Sequence, residues 1–203
     1  MAPQTGHVYV AVSGYGKRVI PVAIPFEFAR AEDDALVATA TRGDSPETRR
    51  IATDARSDRG MTNPVATVID GPERGEWWID AGGVYSVPFP RGWTAIVTGE
   101  VSPAFYLVRE PDRAIFVQTA RNRPALENLA APGQTVVARG DDEVADWVEL
   151  SYVHAGRVWR QRHDLLRTHA VAMITGQSPA DDFADVRETQ QQLTRRAVFG
   201  GTI

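Results

Sequence analysis

From Trp147 to Tyr152 apolar and polar residues alternate: Val148, Leu150 and Tyr152 fall on one side, Trp147, Glu149 and Ser151 on the other. Period two is the signature of a strand with one covered face. Ala155-Gly156 follows, flanked by His154 and Arg157, and suits a two-residue connection in which glycine takes a positive φ. A turn there fixes the register. Tyr152 then faces Trp159, Leu150 faces Gln161 and Val148 faces His163 on a mostly apolar side. Glu149 faces Arg162 and Ser151 faces Arg160 on a side expected to meet solvent. An acid opposite a base stabilises a ribbon by a few tenths to about 1 kcal/mol, and it agrees with the register that the apolar pattern demands.

Residues 170–175 are apolar nearly throughout and predict a third, more central strand that Gly176 stops. Ser178 and Pro179 then read as an N-cap and a first helical residue, with Asp181 three positions past the cap. Phe183, Val186, Gln190, Leu193 and Ala197 recur at spacings of three and four, the stripe of a helix laid on a core. Asp181, Asp182, Asp185 and Glu188 near its start oppose Arg195 and Arg196 near its end, as the macrodipole prefers, and Gly200-Gly201 closes it.

Upstream the segments are shorter. Residues 8–12 and 19–24 predict two strands around a glycine turn, and residues 29–41 a short helix or strand. Residues 42–64 are polar, with Gly and Pro among Arg, Asp, Ser and Thr, and predict a loop. Residues 65–69, 76–79, 84–89, 94–97, 105–108 and 114–118 predict strands separated by turn residues. A helix over 124–130 and a polar link over 139–142 lead into the hairpin. The expected class is α+β: an antiparallel sheet with two or three helices packed on it, the last of them C-terminal after a strand meander.

The chain has 203 residues and a formal net charge of −4, which predicts one core, or one and a fraction. Mixed charge without a basic stripe argues against nucleic acid and against an anionic membrane surface as partners. There is no cysteine, which removes thiolate chemistry and cysteine metal sites and fits a reducing compartment. No stretch reaches the 18 or so apolar residues of a membrane helix, and the N-terminus shows no basic and apolar leader pattern, so the expected location is the cytoplasm. Of 22 basic side chains only Lys17 is lysine, a bias of GC-rich bacterial genomes.

The run Val84-Tyr85-Ser86-Val87-Pro88-Phe89-Pro90-Arg91-Gly92-Trp93, a strand ending in a Pro-x-Gly-Trp turn, resembles the entry segment of Mog1/PsbP-like domains. The ending is similar too, a strand meander followed by one helix on an antiparallel sheet. The resemblance covers about residues 83–199 and divides the chain into a Mog1/PsbP-like domain over 83–203 and a β-rich segment over 1–82 expected to extend the same sheet. It implies an accessory or binding protein and transfers no catalytic residues.

Candidate chemistry is sparse. His154, His163 and His169 lie close in sequence, but the hairpin places His154 and His163 about 30 Å apart at roughly 3.3 Å per residue, which argues against a shared metal. His163, beside Asp164, is the candidate acid/base. Arg160 and Arg162, side by side on the polar strand face, could dock an anion or acidic peptide. Trp77 and Trp78, consecutive in a strand, must point to opposite sides, so one is a candidate contact residue. No motif calls for a cofactor or a metal. The expectation is a non-catalytic bacterial accessory protein acting on a protein partner through Trp77, Trp78, Arg160 and Arg162. The alternatives are a small-molecule or catalytic pocket between sheet and helices, with Tyr152 among its residues, and a structural subunit of a homo-oligomer whose edge strands pair.

Overall fold

The computed structural model of the chain describes residues 5–10, 26–30, 36–42, 45–51, 67–81, 85–97, 105–120, 123–168 and 171–199. Strands β12 (Ala145–His154) and β13 (Arg157–Leu166) pair antiparallel with Tyr152 opposite Trp159, Leu150 opposite Gln161, Val148 opposite His163, Glu149 opposite Arg162 and Ser151 opposite Arg160, as the alternation predicts. Ala155 and Gly156 turn the chain at φ 48° and 75°, the doubly positive geometry that matches the twist of two paired strands.

Strand β14 (Val171–Pro179) lies between β13 and β10 (Arg113–Ala120), so it is central, but it runs straight through Gly176. The strand continues because its neighbours on both sides supply a ladder, and the glycine is where the helix comes close. The predicted cap is replaced as well. Ser178 belongs to β14 and its hydroxyl donates to the Pro179 carbonyl, a single 3-10 turn spans Ala180–Asp182, and helix α1 runs Phe183–Arg196. Its buried face is Phe183, Val186, Gln190, Leu193 and Thr194, close to the predicted stripe, with Ala197 half-buried just beyond its end. The predicted stop at Gly200-Gly201 lies outside the described residues. The helix ends earlier because a two-residue strand, β15 (Val198–Phe199), pairs with β7 (Tyr85–Phe89).

Eight strands make the main sheet. Its order is β11 (Thr135–Asp141), β12, β13, β14, β10, β9 (Phe105–Arg109), β8 (Thr94–Val97) and β5 (Thr67–Asp70), each described pair antiparallel. Strand β11 forms where a polar link was expected: an edge strand needs no second covered face, so its polar residues carry no strand signal. A second sheet has the order β1 (Thr5–Val10), β6 (Glu76–Ala81), β7 and β15, with β1 parallel to β6. A third is made of β2 (Phe26–Arg30), β3 (Leu36–Arg42) and β4 (Ser45–Ile51). Here β4 corrects the reading of 42–64 as loop throughout, and of residues 29–41 the described ones, 29–30 and 36–41, are strand. The expected partner of the first strand, residues 19–24, lies outside the described residues. One α-helix is described instead of two or three, the predicted 124–130 helix being a 3-10 turn over Leu126–Leu129.

Two apolar clusters cover the two faces of the main sheet. On one, Phe105, Leu107, Ile115, Val117, Ala172 and Ile174 meet Val186 and Leu193 of α1 and Ile79, Tyr85, Val87 and Phe89 of the second sheet. Trp93, after the Pro90-Arg91-Gly92 turn, is part of this cluster, and Gly92 holds φ 71° in the turn. On the other, Val148, Leu150, Leu165 and Met173 meet Leu126, Leu129 and Ala130.

Candidate functional site

The helix covers the charged face of the hairpin, not the apolar one. Alternation along β12 and β13 puts Glu149, Arg162 and Asp164 on the side where α1 lies. Burying them demands that each be paired, because an isolated charge out of water is costly. Arg162 Nε donates to Asp164 Oδ1 at 2.6 Å and Arg162 Nη1 to Glu149 Oε1 at 3.2 Å. From the helix, Thr194 Oγ1 donates to Asp164 Oδ2 at 2.7 Å, and Arg187 stands 3.8 Å from Glu149. The Trp147 ring covers the guanidinium at 4.2 Å. Burial pushes the Asp164 carboxyl up, while the Arg162 charge and the Thr194 hydroxyl act against that push. Arg162 is 3% exposed, so the solvent-facing pair of arginines expected on this face does not form; Arg162 is committed to the interior.

Gln190 completes the layer. Its Nε2 donates to the Ile174 carbonyl at 3.0 Å and to the Arg162 carbonyl at 3.2 Å, bridging two strands. The space between sheet and helix is thereby filled by Val186, Gln190, Leu193 and Thr194.

His163 points the other way. Nδ1 is 2.9 Å from Thr175 Oγ1, and the ring is fully buried. Desolvation pushes its pKa down to about 3, so the imidazole is neutral near pH 7. Successive residues of one strand, His163 and Asp164 are divided by the sheet. A polar strip continues beside the imidazole: Gln134 Nε2 donates to Gln161 Oε1 at 3.1 Å, and Gln161 Nε2 to Gln177 Oε1 at 3.3 Å. Tyr152 stacks on Trp159 with centroids 6.4 Å apart, and burial raises its hydroxyl pKa. Trp159 is buried as expected, but on the face away from α1.

The consecutive tryptophans divide as alternation requires. Trp77 packs against the main apolar cluster. Trp78 lies under the Arg196 guanidinium at 5.2 Å and donates from Nε1 to Glu76 Oε1 at 2.9 Å, while Arg196 also bonds Glu76. Of the four nominated contact residues, Arg160 and Trp78 are half-exposed at the surface and Trp77 and Arg162 serve the fold.

Sequence reasoning missed the exposed valines. Val153 is 70% exposed and Val158 49%, and they pair across the hairpin tip. Val158 and Arg160 share one strand face, and among the described residues Arg160 has no ion-pair partner. Val136 and Val137 are also exposed, on the outer strand β11. Two β-branched residues one pair back from a two-residue turn are the available signal, since nothing in the strand order reaches past a hairpin tip. His154, at that tip, meets Trp159 edge-on, and His169 lies outside the described residues. Among the described residues no three metal-ligating side chains gather and no helix is long and apolar enough to cross a membrane.

No family model and no curated protein matches the chain. Among solved structures it is similar to LpqN, involved in cell envelope biogenesis, of Mycobacterium tuberculosis, at 13% identity and a TM-score of 0.33, covering 69% of this chain and 86% of that one. It is also similar to cyanobacterial PsbP (CyanoP) of Synechocystis sp. PCC 6803, at 11% identity and a TM-score of 0.35, covering 70% and 96%. The likeness is one of fold, and it reaches a PsbP protein, the group that residues 83–199 resemble. The expected cytoplasmic location is corrected at this point. LpqN is a protein of cell envelope biogenesis, and neither a cysteine-free composition nor the lack of a membrane-length apolar stretch assigns this chain to the cytoplasm.

Proposed function

We propose that the chain is a non-catalytic accessory protein that binds a protein partner through Val153, Val158 and Arg160 at the tip of the main hairpin. The observation that carries this reading is the exposure of the Val153–Val158 pair beside an arginine with no ion-pair partner among the described residues. Bare β-branched side chains next to a free cation suit an apolar and acidic partner surface. The buried state of His163, Asp164 and Arg162 supports a non-catalytic role, since none of them meets solvent. Trp78, at the far end of α1, is a second contact residue in this proposal.

The test is affinity capture from a lysate of the source organism with the wild type and with the V153S/V158S/R160E variant. The protein retained by the wild type is expected to bind the variant at least tenfold more weakly, with the melting temperature unchanged, because exposed substitutions change stability by about 0.5 kcal/mol or less. Equal retention by both would refute the patch. A second reading, self-assembly, is favoured by the outer edge of β11, where Val136 and Val137 stand on a strand with one unpaired side among the described residues. Light scattering at micromolar concentration decides it, a monodisperse monomer removing self-assembly.

A further inference from the structure

Residues 123–134 cross the face of the main sheet away from α1 as a strap fixed at both ends. At one end Arg123 Nη1 donates to the Leu166 carbonyl at 2.7 Å, and Nη2 to the Leu165 carbonyl at 3.0 Å and to Asp146 Oδ2 at 2.5 Å. At the other, Gln134 Nε2 donates to Gln161 and its Oε1 accepts from the Ala131 amide at 3.0 Å. Between them Leu126, Leu129 and Ala130 fill a slot made by Val148, Leu150, Leu165 and Met173. His163 stands between the two attachments, on β13 between Gln161 and Leu165, with Val148 opposite it on β12 and Thr175 on β14. Its Nδ1 is satisfied by Thr175, whereas its Nε2 is buried with no hydrogen-bond partner.

Among the described residues no carboxylate is bonded to His163. β12 presents Asp146, Val148, Leu150 and Tyr152 to this face, the Asp146 carboxylate standing opposite Leu165 and already held by Arg123 and Arg167; β14 presents Met173, Thr175 and Gln177, and β10 presents Phe116 and Gln118. The strap contributes Leu126, Leu129, Ala130 and Gln134; its charged residues are Glu127, which is exposed, and Arg123, which is bonded to Asp146. Arg162 and Asp164, next in sequence to His163, are committed on the opposite face.

We propose that the strap is an acid-released cover: protonation of His163 is incompatible with the closed strap, so at mildly acidic pH residues 126–134 lift about an Arg123 hinge and bare the slot beneath. The strap yields before the sheet because one side-chain amide and three apolar side chains hold it, whereas β13 is laddered on both sides; local opening is the least costly route to solvent. The hinge survives acid. Asp146 is held below the usual carboxylate range by Arg167 and Arg123, so it stays ionised when His163 takes a proton.

The sign follows from linkage. The covered imidazole has its pKa at about 3, and uncovered it returns to an ordinary value of roughly 6.5, so only the open form binds the proton in between. Opening is at its floor above roughly pH 6.5 and rises about tenfold per unit below it, reaching about thirtyfold at pH 5.

Native-state hydrogen exchange tests this on the amides of Asn128, Ala131 and Gln134, each of which donates within the strap. Between pH 7.5 and 5.0 their protection, corrected for intrinsic exchange, is expected to fall by about thirtyfold while the β13 and β14 amides keep theirs. His163→Asn, whose amide can either donate to or accept from the Thr175 hydroxyl and cannot become charged, should flatten the fall. Gln134→Ala should lower strap protection at both pH values and leave the pH ratio intact, so it serves even if the first variant folds poorly. A wild-type fall of less than twofold, an equal fall across the whole sheet, or an undiminished fall in His163→Asn overturns the proposal.

Discussion

Gly176 sits where α1 meets the centre of the main sheet, and alanine there is the sharpest probe of that contact. A Cβ built on Gly176 would stand 2.3 Å from Gln190 Oε1, 3.0 Å from Val186 Cγ1 and 3.2 Å from Gln190 Cδ. The glutamine amide cannot simply swing aside, because its Nε2 is held by the Ile174 and Arg162 carbonyls. A methyl group therefore either lifts the helix or breaks those bonds. Overpacking costs about 1–3 kcal/mol and each buried carbonyl left without a donor about 1–3 kcal/mol, against a gain of about 0.5–1 kcal/mol from replacing a strand glycine. A net loss of about 3 kcal/mol lowers the melting temperature by roughly 6–12 °C for a chain of this size. Thermal and urea unfolding of Gly176→Ala, Gln190→Ala and the double variant measure it. Gln190→Ala alone forfeits the two bonds and leaves a small cavity, at about 2–3 kcal/mol, but it also makes room for the methyl. The double variant should then be more stable than the sum of the single losses by at least about 1 kcal/mol. Additivity to within about 0.5 kcal/mol would refute the reasoning, since it would mean that the methyl and the amide do not compete for one space.

Trp77→Ala and Trp78→Ala should separate cleanly in the same assays: the first removes a ring packed on the main cluster and costs about 2–3 kcal/mol. The second removes a surface ring from under Arg196 and costs less than about 1 kcal/mol; equal losses would show that both are core residues. Asp164→Ala leaves the buried Arg162 with Glu149 alone and strips Thr194 of its acceptor, so a loss of about 3 kcal/mol or more is expected. A change below about 1 kcal/mol in denaturant unfolding would show that the Arg162–Asp164 pair is dispensable.

Local chemistry made the hairpin register legible, because a two-residue turn with glycine and an alternating pattern leave one pairing in which apolar residues share a face and Glu149 meets Arg162. The amphipathic stripe of α1 was legible for the same reason. The end of β14 was not: a glycine after an apolar run reads as a stop, and only the helix above Gly176 explains why it is there. Strand β11 was illegible because an exposed edge imposes no periodicity. The site reading failed on depth. Arg160 and Arg162 are equivalent in sequence, two positions apart on one strand face, yet one is half-exposed and the other is sealed beneath Trp147 and α1.

By itself the sequence determined which residues of the hairpin pair, which side of its two strands they occupy, and that an amphipathic helix closes the unit, since these depend on contacts between near neighbours along the chain. Tertiary structure alone decided which sheet face the helix would cover. That choice turned a charged surface into an interior, placed His163 under a strap on the opposite side, and left the hairpin tip bare. Burial is set by what comes to lie above a residue from distant parts of the chain, and no period within the residue's own strand records it.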